Sequence, residues 1–286
     1  MKKIVISGAT GFVGTHLSDF LSQHGYAIDR LSRSDLSLND NELSERLNGV
    51  FAVINLAGAP IIKRWTQVYK EELYTSRIKT IQKIANAIRL AIIKPEVFIS
   101  TSAVGIYKNK TQNTERAAQY DTGYLAKICK DWEASALTTL KITRTVIFRP
   151  GVVMSHEGGA MKKLLPVFRM GLGGPISNGS QGFPWIHLDD LLNAYLYILE
   201  HPQTEGIYNL TAPEMITNSQ FTKSLASVVR RPAIIPVSPF MLKMLYGAGA
   251  VALTEGAFVE PSRLIESGFE FRYPKIIDAL KEIVKR

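Results

Sequence analysis

Apolar residues follow two rhythms in the first half of the chain. Short unbroken runs, Ile4-Val5-Ile6 and those within 27–31, 50–55, 97–100 and 144–149, predict strands buried on both faces. Between them Phe12, Val13, Leu17, Phe20 and Leu21 recur at the spacing of one helix face, and 65–91 and 125–137 carry longer helical patterns. Such alternation predicts a doubly wound parallel α/β sheet. After Pro150 the rhythm loosens into glycine-rich turns. Order returns at 185–187, followed by a helix over 191–199 that Asp189 or Asp190 is expected to cap. From 206 onward short elements alternate with prolines, and no internal repeat is visible.

Three glycines, Gly8, Gly11 and Gly14, stand at spacing three between the first strand and the first helix. Glycine permits a tight turn and close backbone approach, while the N–H groups and dipole of a helix start favour an anion. With Thr10, Phe12 and Val13 completing the turn, this predicts a seat for the pyrophosphate of a dinucleotide on a Rossmann-type sheet. The second strand should end near Ser32-Arg33. An acidic residue there would take a free ribose 2′-hydroxyl; a guanidinium suits a 2′-phosphate, so NADP is preferred over NAD. Asp29 falls inside that strand and Asp35 beyond its end. Leu56-Ala57-Gly58-Ala59 close the next strand, where small residues let the cofactor pass. The expected layout is a dinucleotide-binding domain over 1–155, rejoined by 185–205. A smaller C-terminal α/β substrate lobe takes 156–184 and 206–286, with a cleft between the two.

Composition narrows the function classes. The 286 residues carry a net charge of +9, yet Lys and Arg are spread along the chain rather than gathered with aromatics, so no nucleic-acid partner is expected. The single cysteine, Cys129, excludes an internal disulfide and reads as a core residue. The most apolar stretch, 233–253, is broken by Pro236, Pro239 and Lys243, and the apolar start is too short for a signal peptide. No membrane span and no metal site are expected, and cytoplasm is the default location.

Candidate chemistry sits at strand ends. Ser100-Thr101-Ser102 closes the strand over 97–100, where hydroxyls can bond a substrate oxygen. Tyr124 and Lys127 lie about one helical turn apart, and an ammonium near a phenol lowers its pKa. At this point the chain resembles the extended short-chain dehydrogenase/reductases of the epimerase/dehydratase superfamily. It is most similar to the atypical branch known only as "epimerase family protein", sometimes mislabelled a cell-division inhibitor. Gly8-Ala-Thr-Gly11-Phe-Val-Gly14, Asn55-Leu-Ala-Gly58-Ala-Pro-Ile, Arg64-Trp65, Thr75-Ser76-Arg77 and Ser102-Ala-Val-Gly-Ile-Tyr107 carry the resemblance. So do Asp131-Trp132-Glu133, Gly158-Gly-Ala160, Gly171-Leu-Gly-Gly-Pro175, Trp185-Ile-His187 and Phe269-Glu-Phe-Arg-Tyr-Pro274.

The resemblance implies bound NADP, with Ser32, Arg33, Gly58, Ala59, Glu72, Arg77 and Val152 among its neighbours. Glu72 and Arg77, five apart on one predicted helix, would otherwise pass for solvated surface charges. Ser102 matches the superfamily's catalytic hydroxyl position best, with Thr101, also expected beside the cofactor, as the fallback. The chain departs from the superfamily in two places. The usual Tyr-x-x-x-Lys is missing, because Ile128 stands four residues after Tyr124 and the nearest lysine is Lys127. The arginine that grips a sugar-nucleotide diphosphate is replaced by Phe183, two residues after Gln181, an apolar ring that cannot pair with phosphate. Phe168, Phe183, Trp185 and Phe240 are candidates to line a more apolar pocket. Two functions follow. One is an NADP-dependent oxidoreductase or epimerase acting on a small carbonyl or alcohol. The other is an NADP(H)-binding sensor or structural module with little catalysis. A homodimer is left open.

Overall fold

The computed structural model describes residues 1–285. β1 (Lys3–Ser7), α1 (Phe12–Gln23), β2 (Ala27–Leu31), α2 (Asp40–Leu47), β3 (Ala52–Asn55), α3 (Gln67–Leu90) and β4 (Val97–Thr101) follow one another in alternation. A short β5 (Gln112–Asn113) precedes α4 (Tyr124–Leu137), β6 (Arg144–Pro150) and β7 (Val152–Met154). Next come α5 (Met161–Arg169), β8 (Trp185–His187), α6 (Leu188–Glu200), β9 (Gly206–Leu210) and α7 (Asn218–Val229). The chain ends with α8 (Pro239–Tyr246), α9 (Val251–Thr254), β10 (Phe258–Val259), α10 (Ser262–Glu266) and α11 (Ile276–Lys285).

Six strands form one parallel sheet in the order β2-β1-β3-β4-β6-β9. The unbroken apolar runs have a simple cause. Ile4 and Ile6 face the layer holding α1 and α6, while Val5 between them faces the layer holding α2, α3 and α4. Ala52, Val53 and Ile54 repeat this division, as do Val97, Phe98 and Ile99. Two covered faces therefore require apolar residues at both phases of the strand period. Leu17 and Leu21 anchor α1 with no exposed surface, each contributing about 2 kcal/mol.

Several boundaries differ from the sequence expectation. Val50 and Phe51 precede β3 rather than belong to it, and 67–90 is one continuous helix. The stretch 206–210, expected in the C-terminal lobe, instead pairs with β6 as the edge strand of the main sheet. Its buried Tyr208, Asn209 and Leu210 need that neighbour to satisfy their backbone. The helix expected over 191–199 begins at Leu188. Its cap is His187, whose Nδ1 accepts from the Asp189 N–H at 3.1 Å, rather than Asp189 or Asp190. Asp190 is drawn away because its carboxylate accepts the N–H groups of Arg272 and Tyr273, tying the Phe269–Pro274 motif to α6.

The second lobe has its own core. Met161, Leu165 and Phe168 of α5 pack with Phe221 and Leu225 of α7 and with Ile276, Leu280 and Ile283 of α11. β7 pairs with β8, and β5 with β10. A capping box between Thr217 and Gln220 starts α7, and another between Asn39 and Glu42 starts α2. No helix among the described residues is long and apolar enough to cross a membrane.

Candidate active site

The glycine turn emerges from the carboxyl end of β1. Gly8 has φ +75°, and a side chain there would strike the backbone of Leu56 and Ala57 at 2.8 Å. A Cβ at Gly14 would lie 2.2 Å from the Gly8 carbonyl oxygen, so the helix can approach the turn this closely only without one. Gly11, whose N–H bonds the Gly8 carbonyl at 3.0 Å, is the N-cap of α1 and offers no side-chain acceptor. The N–H groups of Phe12, Val13 and Gly14 in the first turn of α1 have no partner within the helix, and no acidic residue stands in that turn. Thr10 is exposed at the turn, and Phe12 and Val13 are half-buried. Phe12 reaches the other lobe: a Cβ at Gly158 would lie 2.3 Å from its ring, while Gly159 has φ +61° and lies against the Val153 carbonyl.

At the end of β2, Arg33 is exposed, and no carboxylate among the described residues pairs with it. Ser32 donates its N–H and its hydroxyl to Asp35, at 2.7 and 2.6 Å. At the end of β3, Ser7 donates to Asn55 at 2.6 Å, and the chain turns through Leu56 and Ala57 into Gly58 and Ala59. Two residues of the Thr75-Ser76-Arg77 motif hold that loop. Ser76 accepts from the Ala59 N–H at 3.1 Å, and Arg77 donates to the Ala59 carbonyl at 2.8 Å. A Cβ at Gly58 would meet the Arg77 guanidinium at 2.9 Å. Arg77 is buried against Trp132, and burial lowers its pKa. Glu72, on another face of α3, is exposed. The two charges therefore diverge, and Arg77 is neither solvated nor beside Glu72.

The Arg64-Trp65 motif ties the same loop to the C-terminal lobe. Arg64 donates to the Met244 carbonyl at 2.8 Å, and the Trp65 N–H to the Tyr246 carbonyl at 3.1 Å. A cationic side chain at the carboxyl end of α8 also suits its dipole. On the far side, Val152 of β7 bonds the Pro184 carbonyl through its N–H at 2.8 Å.

The three candidate proton-transfer residues are each bonded elsewhere. Ser102 is buried and donates to Glu133 at 2.7 Å. Tyr124 donates to the Lys70 carbonyl at 2.6 Å and lines an open recess of about 430 Å³ with Gln67, Lys70, Glu71 and Tyr74. Burial raises the Tyr124 phenol and outweighs the opposing pull of Lys127. Lys127 points outward and pairs with Asp131 at 2.7 Å, which raises its pKa. Thr101 shares a 2.7 Å hydrogen bond with the buried Tyr195. No hydrogen bond joins any two of Ser102, Tyr124 and Lys127.

What α4 presents to the sheet end is a different set, Cys129 and Glu133 at spacing four. Glu133 pairs with Arg149 through both carboxylate oxygens, at 2.7 and 2.6 Å. Arg149 donates to Tyr107 at 2.7 Å, and Tyr107 donates to Asn209 at 2.7 Å. Burial pushes the Tyr107 phenol and the Cys129 thiol up to about 12 each. The pair with Glu133 holds the Arg149 guanidinium charged against the cost of its burial. Of these, Tyr107 and Glu133 stand in motifs that carry the resemblance and Cys129 reads as core, but the sequence assigned none of them a part in this network. The i, i+4 repeat of Cys129 and Glu133 was the available signal, masked by the louder Tyr124 and Lys127.

The expected aromatic lining also disperses. Phe168 and Trp185 are buried in the lobe core, Phe183 stacks on Phe221 at 4.2 Å, and Phe240 is exposed on α8. No group of three or more metal-binding side chains gathers among the described residues.

Known proteins match this chain over almost its whole length. Residues 4–211 match the family described as "NAD dependent epimerase/dehydratase family", and 237–283 match a "Domain of unknown function (DUF1731)". The chain is 37% identical to the Arabidopsis thaliana "Epimerase family protein SDR39U1 homolog, chloroplastic", over 99% of this chain and 86% of that one. It is 34% identical to the Homo sapiens "Epimerase family protein SDR39U1" over 99% of both. A crystal structure of human SDR39U1 isoform 2 with NADPH superposes with a TM-score of 0.92, at 33% identity and 99% coverage of both chains. A UDP-glucuronic acid 4-epimerase from Bacillus cereus, holding UDP-glucuronic acid and NAD, shares the fold alone, with a TM-score of 0.77 at 17% identity. The chain belongs to the NAD dependent epimerase/dehydratase family.

Proposed function

We propose that this protein binds NADP(H) and acts as an oxidoreductase or epimerase on a small carbonyl or alcohol. The carrying observation is the cradle: bare first-turn amides of α1, glycines that a Cβ would obstruct, and an unpaired Arg33 at the end of β2. These groups fit a pyrophosphate and a ribose 2′-phosphate. The NADPH held by human SDR39U1 supports the same reading.

A bound nicotinamide would supply or accept hydride. The chain's own part is to hold the Gly58–Ala59 loop through Ser76 and Arg77 and to set Thr101 and Ser102 at the β4 end. Phe183 in place of a diphosphate-gripping arginine argues for a substrate without a nucleotide. A second reading, an NADP(H)-binding protein with little chemistry, is favoured by one observation. Ser102, Tyr124 and Lys127 are committed to Glu133, the Lys70 carbonyl and Asp131.

Fluorescence titration of the nucleotide-stripped protein should show tighter binding of NADPH than of NADH, and binding of neither overturns both readings. Stopped-flow oxidation of bound NADPH against a carbonyl library then separates them. Acceleration by any compound supports the enzyme. No acceleration by any compound leaves the binding protein.

A further inference from the structure

We infer that Arg46 is the residue that sets the preference for a phosphorylated ribose, by neutralising Asp29 and Asp35 beside the end of β2. This deepens the NADP reading above and rests on it. Asp35 lies close to the place where a dinucleotide fold puts the acid that accepts a ribose 2′-hydroxyl. Left free, it would favour NAD and repel a 2′-phosphate.

It is not free. One carboxylate oxygen takes both the N–H and the hydroxyl of Ser32, at 2.7 and 2.6 Å. The other oxygen is paired with Nη1 of Arg46. The Ser32 hydroxyl also shares a 2.7 Å bond with Ser34, so this acid is locked into its own turn. Nη2 of the same guanidinium binds Asp29 at 2.6 Å, and Lys3 covers the second oxygen of Asp29 at 2.9 Å. Two carboxylates are thus matched by Lys3 and Arg46. Arg33, beside them and unpaired, is the surplus positive charge.

Arg46 suits this task by position and by shape. It sits in the last turn of α2, whose start is fixed by the Asn39–Glu42 capping box and whose Leu43 and Leu47 have no exposed surface. A planar guanidinium can hold two carboxylates at once, which a lysine ammonium does poorly. Arg46 acts through Asp35, so it is a positioning residue.

The test measures affinity for NADPH and NADH by calorimetry, with unfolding curves of every variant to establish folding. Arg46→Ala should lower the NADPH-to-NADH affinity ratio roughly tenfold, the scale of one charge acting about 3 Å away in water-like surroundings. Arg46→Lys should fall between this and the parent. Adding Asp35→Asn to Arg46→Ala should restore most of the ratio, a recovery that a merely structural arginine would not give. Asp35→Asn alone keeps α2 intact and should leave the ratio unchanged or raised. Equal weakening of both nucleotides in Arg46→Ala, no recovery in the double variant, or a lowered ratio in Asp35→Asn overturns the inference. A parent protein that prefers NADH overturns the NADP reading first, and this inference with it.

Discussion

The glycine turn and the sheet-facing side of α4 stand at the same carboxyl edge of the sheet, built to opposite rules. At the turn, the first amides of α1 have no partner within the helix, and no carboxylate among the described residues pairs with Arg33. At α4, the charged and hydroxyl groups that meet the sheet end are bonded to one another: Ser102 and Arg149 by Glu133, Tyr107 by Asn209 and Arg149. A group that must bind an outside ligand is held unsatisfied by a rigid frame. A buried group that is satisfied internally holds the frame together. The first region is the proposed site; the second, in this state, is its support.

The contrast can be broken most sharply at Glu133. Glu133→Ala would strand the Arg149 guanidinium in the interior, and denaturant unfolding should show a loss of about 4 kcal/mol. An unchanged midpoint would mean that α4 is not the support described. Next in size, Gly14→Ala drives a Cβ into the Gly8 carbonyl. It should cost about 3 kcal/mol in the same assay and abolish measurable NADPH binding by calorimetry. Arg33→Ala should leave the unfolding curve alone and weaken NADPH roughly tenfold, with NADH untouched. Tyr124→Phe is expected to change NADPH oxidation less than about twofold, since burial raises its phenol rather than activating it. A large loss of rate would place Tyr124 in the chemistry and restore a proton relay to α4.

The smallest signal comes from Cys129. Its thiol is pushed up from 9.0 to about 12, so the thiolate is absent at neutral pH and alkylation of the folded protein should track global unfolding. The sign follows from linkage: a group kept neutral by the fold stabilises it fully below 9.0, and that contribution fades as pH climbs toward about 12. Labelling faster than unfolding would show that the α4 face opens independently.

Local signals in the chain were enough for the sheet and the cradle. Strand period, helix period and glycine spacing are properties of neighbouring residues, so Ile4 to Leu21 announced strand, turn and helix unaided. The ends of elements were less legible. His187 took the cap because Asp190 was claimed by the backbone of Arg272 and Tyr273, 82 and 83 residues away. Side-chain commitments were not legible at all.

What the amino-acid order determined alone is the parallel α/β sheet, the glycine turn between strand and helix, and a guanidinium at the end of the second strand. Only the tertiary structure decided that Arg77 is buried and Glu72 is not, that Tyr124 and Lys127 are bonded away from Ser102, and that Arg46 pairs with Asp35. The reason is physical. Periodicity is written into consecutive residues. The partner that satisfies a charge or a hydroxyl is chosen by which distant segments the packed core brings within about 3 Å.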